Sequence, residues 1–443
     1  MNDQLDFLKC YYRPAFFKIK IDLPFEFKNL QELTDGALSL YLHEYIHFIQ
    51  DISTIYGLVN ISTINYYIQD CASRIFKENK KEFQVPLKLS PREGDYGYSN
   101  FCLQPIYLGS KINPKRTKIE LVSYKYGSQV FNDKNEKVNI IKVTLNDAKS
   151  NANFEVSLGG ILITEGMAYL SERYVYSEIL QSQGANVQAD EYPYLVVEKI
   201  AQKIYPELAQ YTILLIAVCD CSLMTYHPGL SFIRAMEFLS KSKFIETNLD
   251  NDQIISKLYE VLSAFLKGNH FDLDVIVEQV RDSIKKSFKA SIFDGNNQWI
   301  DVLFDRITIL RREYPQFIID FLQGGNLKNN KDFAMFYLAF GSPLVVNSED
   351  KGTVALPSQF NPENFQPHLF WAINQILKIF TNQSPTPCEL KGFCKKSSEL
   401  EGIDDITDER CDNAPWEKHI DLCPVGAIWR HWALAGFSPK TAP

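Results

Sequence analysis

The stretch from Thr34 to Gly57 constrains this chain more than any other. Leu38, Leu42, Tyr45, Ile46, Ile49 and Ile52 recur at intervals of three and four, Thr34 or Asp35 can cap the start, and Gly57 can stop it. This pattern predicts a helix that other elements largely enclose. Within it stands His43-Glu44-Tyr45-Ile46-His47. Four residues advance a helix by slightly more than one turn, so both imidazoles point the same way and Glu44 lies beside them. Two histidines one turn apart in an apolar setting want a shared partner. Their type and spacing suit one zinc ion, with Glu44 able to hold a water.

Around this helix the texture of the chain changes several times. Phe16 to Phe27 partly alternates apolar and polar residues and predicts a strand interrupted or ended at Pro24. A second helix is expected through about Lys80. From about 81 to 159, Pro, Gly and Asn punctuate β-rich runs such as KIELVSYKYGSQVF and KVNIIKVTL, which predicts an inserted antiparallel sheet of hairpins. Helical periodicity then returns and dominates to about Phe380. Tyr205 to Tyr226 is apolar around its central turns and predicts a buried helix, with Pro206 tolerated in its first turn. At Gln383 to Pro387 the composition shifts to a proline-containing linker, followed by a cysteine-bearing tail.

Charge and composition exclude some functions. The 46 basic against 54 acidic residues, a net of -8, lack the positive field of a general nucleic-acid binder. The longest strongly apolar run, Thr212 to Cys219, falls short of the ~20 residues needed to cross a bilayer, and the first residues lack the order of a signal peptide. A cytoplasmic protein without membrane attachment is expected. The odd number of cysteines, nine, fits free thiols or a metal site better than a disulfide framework.

The helix with His43, Glu44 and His47 resembles the active-site helix of the zincin metallopeptidases. The metzincin branch is excluded, because Gln50 and Ser53 stand where its glycine and third histidine belong. A third ligand must come from elsewhere, and Thr164-Glu165-Gly166-Met167-Ala168 resembles the second active-site helix of gluzincins. The resemblance implies Glu165 as that ligand, with Gly166 and Ala168 small enough to let its helix approach the first. Glu172 and Glu178 are fallback ligands, and Glu172 or Asp51 could orient a ligand from behind. Two departures from the thermolysin-like pattern are a much longer separation of motif and glutamate and Tyr169 in place of an acidic residue. Tyr226 and His227, after the buried helix, resemble the tyrosine and histidine with which thermolysin-like gluzincins stabilise the oxyanion. The same His227-Pro228-Gly229 also reads as a helix-terminating turn with a capping histidine.

The late cysteines, Cys388, Cys394, Cys411 and Cys423, could place four thiolates around a structural zinc ion, with His419 able to replace one. Neither pair has the tight C-x2-C spacing, and buried free cysteines are the competing reading. Cys219 and Cys221, two apart on a helix, face different ways and read as core.

The expectation is an α+β, mostly helical fold. Residues 1–382 would form a zincin-like domain with a β-rich insertion at about 81–159, and 383–443 a small Cys-containing module. The resemblance implies a zinc-dependent endopeptidase with Glu44 as general base, His43, His47 and Glu165 on the catalytic zinc, and a peptide or protein as substrate. A protein partner or activator is a further expectation. The alternatives are a binding or regulatory protein on a metallopeptidase-derived scaffold, against which an intact Glu44 argues, and a metal-dependent amidase acting on a non-peptide substrate.

Overall fold

A computed structural model of the chain describes residues 10–24, 30–88, 96–110, 118–132, 135–183, 190–246, 251–266, 273–363, 365–382, 387–418 and 423–441. The architecture is α+β and mostly helical, with three small sheets among the described residues. Helix α1, Asp35–Ser53, runs through the middle of the core. Thr34 caps it by accepting the N–H of Ala37 at 3.2 Å, and Leu38, Leu42, Tyr45, Ile46, Ile49 and Ile52 are all sealed from solvent. So are most of its polar residues, His43, Glu44, Gln50 and Asp51 among them, which is why the helix needs internal partners on every face.

The helix stops earlier than its periodicity predicts. Thr54 ends α1 and caps the next helix, α2 (Ile55–Glu78): its hydroxyl donates to the Gln50 carbonyl at 2.7 Å and accepts the Gly57 N–H at 3.1 Å. Gly57 therefore begins a helix. A Cβ there would come within 2.5 Å of the Asp51 backbone, so only glycine lets α2 fold back this closely on α1.

The segment at 81–159 contains an antiparallel meander, β4 (Ile119–Val130), β5 (Lys137–Asp147) and β6 (Ala152–Leu158). It also contains a helix that the sequence reading omits, α3 (Tyr96–Leu108), with Pro105 inside it. From β6 the chain enters α4 (Gly160–Ser182), which lies along α1. The buried helix expected over 205–226 is divided: Pro206–Ala209 makes a single turn before α5 (Thr212–Leu223) begins. Two further helices matter to the site, α6 (Pro228–Lys241) and α7 (Asp294–Glu313). Arg311 of α7 donates to the carbonyl and hydroxyl of Ser53 and makes two 2.7 Å bonds to Asp220 of α5, with both side chains buried. This paired charge satisfies the buried Ser53 carbonyl at the end of α1, which has no partner within the helix.

Near the N-terminus, β1 (Tyr11–Arg13) pairs antiparallel with β2 (Lys18–Lys20), and β2 pairs parallel with β7 (Leu344–Val346), which β8 (Gly352–Thr353) follows. The expected strand at 16–27 is thus shorter, and its residues 25–27 lie outside the described ones. β1 is an edge strand beside α1. The C-terminal tail follows α8 (His368–Thr381) and comprises α9 (Lys391–Glu401), a turn at Arg410–Asn413 and α10 (Pro424–His431). Its last strand, β9 (Ser438–Thr441), pairs parallel with β3 (Glu82–Val85), and α10 packs on α8. Val425, Ile428 and Trp429 thereby join the main hydrophobic core.

Candidate metal centre

α1 and α4 bring His43, His47 and Glu165 together. Glu165 Oε2 stands 3.4 Å from His43 Nε2 and 3.6 Å from His47 Nε2. One ligand atom from each of the three lies within 4.8 Å of the other two, the only such group among the described residues. All three side chains are buried or nearly so.

The far side of each imidazole is anchored. His43 Nδ1 meets Glu172 Oε2 at 3.1 Å, and the other oxygen of Glu172 accepts the Ser39 hydroxyl at 2.7 Å. His47 Nδ1 meets Gln50 Oε1 at 2.8 Å, and the Gln50 amide donates to the Thr164 carbonyl at 3.2 Å. Hydrogen bonds at Nδ1 turn both Nε2 atoms toward Glu165 and fix which nitrogen is free to bind. Glu165 Oε2 is buried and has no hydrogen-bond partner. An orphaned carboxylate oxygen facing two imidazole nitrogens is the arrangement a cation satisfies, so the group can hold a metal ion.

The electrostatics agree with a charged, enclosed site. Burial alone would raise the Glu165 carboxyl, but the His47 and His43 imidazoles outweigh it and hold the group well below the usual carboxylate range. Burial alone would lower His43, and the carboxylates of Glu165 and Glu172 push it well above its ordinary value instead. Glu44, next to His43 in sequence, is raised to about 7 by burial, against the pull of the two imidazoles and a backbone hydrogen bond from Tyr12. Asp51 is likewise raised to about 7 by burial, though it accepts the Tyr12 hydroxyl at 2.9 Å and the Ala15 N–H at 2.7 Å.

A cleft opens beside the centre, and His47, Glu165, Gln50, Tyr12, Arg13 and Asn374 are among its walls. Tyr194 packs edge-on against His43 with ring centroids 5.7 Å apart, and burial, with the nearby charges of Glu165, Glu44 and Glu172, raises its phenol.

Other residues named from the sequence take different places. Glu172 orients His43, and Glu178 is exposed further along α4. Gly166 does not serve the approach to α1: a Cβ on it would meet Val197 at 2.4 Å, so its smallness admits the helix Val196–Ile204. His227 caps α6, accepting the Leu230 N–H on Nδ1 at 3.4 Å, while its Nε2 meets the Asn139 carbonyl at 2.7 Å. Both ring nitrogens are thus engaged. Tyr226 lines a separate recess with Tyr56, Asn60 and Tyr107. Gln50 and Tyr194 were not identified as site residues from sequence. Gln50 was legible in principle, since a side chain three after His47 on a helix can reach it; Tyr194, 147 residues beyond His47 in another helix, carries no sequence signal.

No family model matches the chain, and comparison with curated proteins and with solved structures also finds no match. Among the described residues no helix is long and apolar enough to cross a membrane.

Proposed function

We propose that this chain is a zinc-dependent peptidase. The observation that carries the reading is the convergence of His43, His47 and Glu165 on one point with Glu44, a buried carboxyl raised to about 7, on the same helix. Two imidazoles and one carboxylate are the donor set of catalytic zinc, which keeps a fourth position open for reaction. When bound there, zinc supplies a Lewis acid that polarises a substrate carbonyl.

The chain's own residues do the rest. Glu44 takes a proton from a water beside the two histidines and returns it to the leaving amine. Glu172 and Gln50 keep the imidazoles aimed. The Tyr194 phenol supplies a hydrogen-bond donor beside His43 for the oxyanion of the tetrahedral intermediate, the role that the gluzincin resemblance implies for Tyr226 and His227. Tyr12 and Arg13 of the edge strand β1 line the cleft, and an extended peptide would lie along them.

The test is Glu44→Gln, which keeps the shape and removes the base. Cleavage of a mixed peptide library should fall by ~10²–10⁴-fold with zinc content unchanged. Cleavage at the wild-type rate would move the base elsewhere, and a zinc-loaded wild type that cleaves no library member would favour a binding role for the scaffold.

A further inference from the structure

The four late cysteines arrive from four separate elements. Cys388 precedes α9, Cys394 lies within it, Cys411 sits in the turn Arg410–Asn413, and Cys423 is the N-cap of α10. All four nonetheless line one small recess, whose other walls include Leu390, Ile406, Pro415 and Val425. None is in a disulfide. The backbone closes the ring as well, since the Cys388 N–H donates to the Cys411 carbonyl at 2.6 Å.

Two donors face the sulfurs. The Lys418 ammonium, 1 % exposed, donates to Cys411 Sγ at 3.3 Å, and the Gly426 N–H donates to Cys423 Sγ at 3.4 Å. The same ammonium donates to the Ile406 carbonyl and pairs with the Asp408 carboxylate 3.4 Å away, and a buried ammonium gains from further anionic neighbours. Thiolates in the recess would complete its compensation. Neutral thiols would not.

The spacing distinguishes what the sulfurs can hold. Zinc–thiolate bonds of about 2.3 Å put the four sulfurs of one tetrahedral ion roughly 3.8 Å apart. Here no three of them gather within 4.8 Å of one another, although all face the same space. Four thiolates that each bind a different metal atom of a larger unit stand further apart, and sulfide-bridged iron is the centre that four cysteines hold in that way. We propose that Cys388, Cys394, Cys411 and Cys423 bind a cubane iron–sulfur cluster, which replaces the single structural zinc ion expected from their sequence. The cluster would tie α9, the 410–413 turn and α10 into one unit against α8. This site is independent of the His43 centre and of the peptidase reading.

The full-length protein, produced with added iron and purified without oxygen, should be brown and contain about four irons and four acid-labile sulfides per chain. Dithionite should bleach the colour and produce the electron paramagnetic resonance of a reduced cubane. Cys394→Ser and Cys411→Ser should each lose iron and sulfide while the His43 centre keeps its metal. Because such variants can misfold, the wild type decides by itself. A colourless protein with zinc in all-sulfur coordination by X-ray absorption would overturn the proposal in favour of a single ion. So would a protein that takes up neither iron nor sulfide on anaerobic reconstitution with both.

Discussion

Replacing Glu172 with alanine should weaken zinc binding at the histidine centre more than replacing Gln50 does. Each residue holds the Nδ1 of one histidine, at 3.1 Å for Glu172 and 2.8 Å for Gln50, so the shorter contact alone would predict the reverse order. Charge decides it. A hydrogen bond to a charged group contributes about 1.5–3 kcal/mol, against about 0.5–1.5 kcal/mol for a neutral pair. The Glu172 side chain is 16 % exposed, which places it in the lower half of its range. At 1.4 kcal/mol per tenfold, Glu172→Ala should cost about 10–40-fold in affinity and Gln50→Ala about 2–10-fold. Glu172→Ala also frees the buried Ser39 hydroxyl, a cost that falls on the zinc-free and zinc-bound states alike and so cancels from the affinity. The assay is competition with a chromophoric zinc chelator, reading the transition that a His43→Ala variant lacks and checking the fold by circular dichroism. Affinity within twofold of wild type for Glu172→Ala, or a larger loss for Gln50→Ala, would refute the claim that these contacts aim the ligands.

Two other substitutions separate the candidates for the oxyanion donor. Tyr194→Phe should lower turnover by ~10²–10³-fold with zinc retained, measured by steady-state cleavage of a peptide; an unchanged rate would remove Tyr194 from the chemistry. His227→Ala should cost about 0.5–2 kcal/mol of stability through loss of the α6 cap, read by denaturant unfolding, and leave zinc affinity and turnover as they were. A fall in turnover at full stability would return His227 to the site.

The heart of the centre was legible in the sequence because a helix imposes it. The period of α1, its Thr34 cap and the one-turn spacing of His43 and His47 are local properties, set within twenty residues. Its end was misplaced because Thr54 caps two successive helices, and the apolar period continues through the junction. Glu165 could be named only through its resemblance to a second active-site helix. Its approach to α1 depends on how α4 leaves β6 and packs, a tertiary outcome, and the small Gly166 beside it serves a different neighbour, Val197. His227 shows the opposite difficulty: a histidine before Pro-Gly suits both a cap and a catalytic donor, and only the carbonyl of Asn139, 88 residues away, shows that its second nitrogen is engaged. The tail read as separable because its linker is polar and prolyl. Its attachment through β9 to β3 is a pairing across more than 350 residues, which composition does not encode. His419, offered as a substitute ligand there, lies outside the described residues.

Anomalous diffraction at the zinc edge, from crystals of the zinc-loaded full-length protein, tests the central claim most directly. A peak should lie about 2.0–2.1 Å from the Nε2 atoms of His43 and His47 and about 2.0–2.2 Å from a carboxylate oxygen of Glu165. Glu44 should stand beside it, outside bonding distance. A strong zinc peak elsewhere in the chain with none between these three residues would contradict the account.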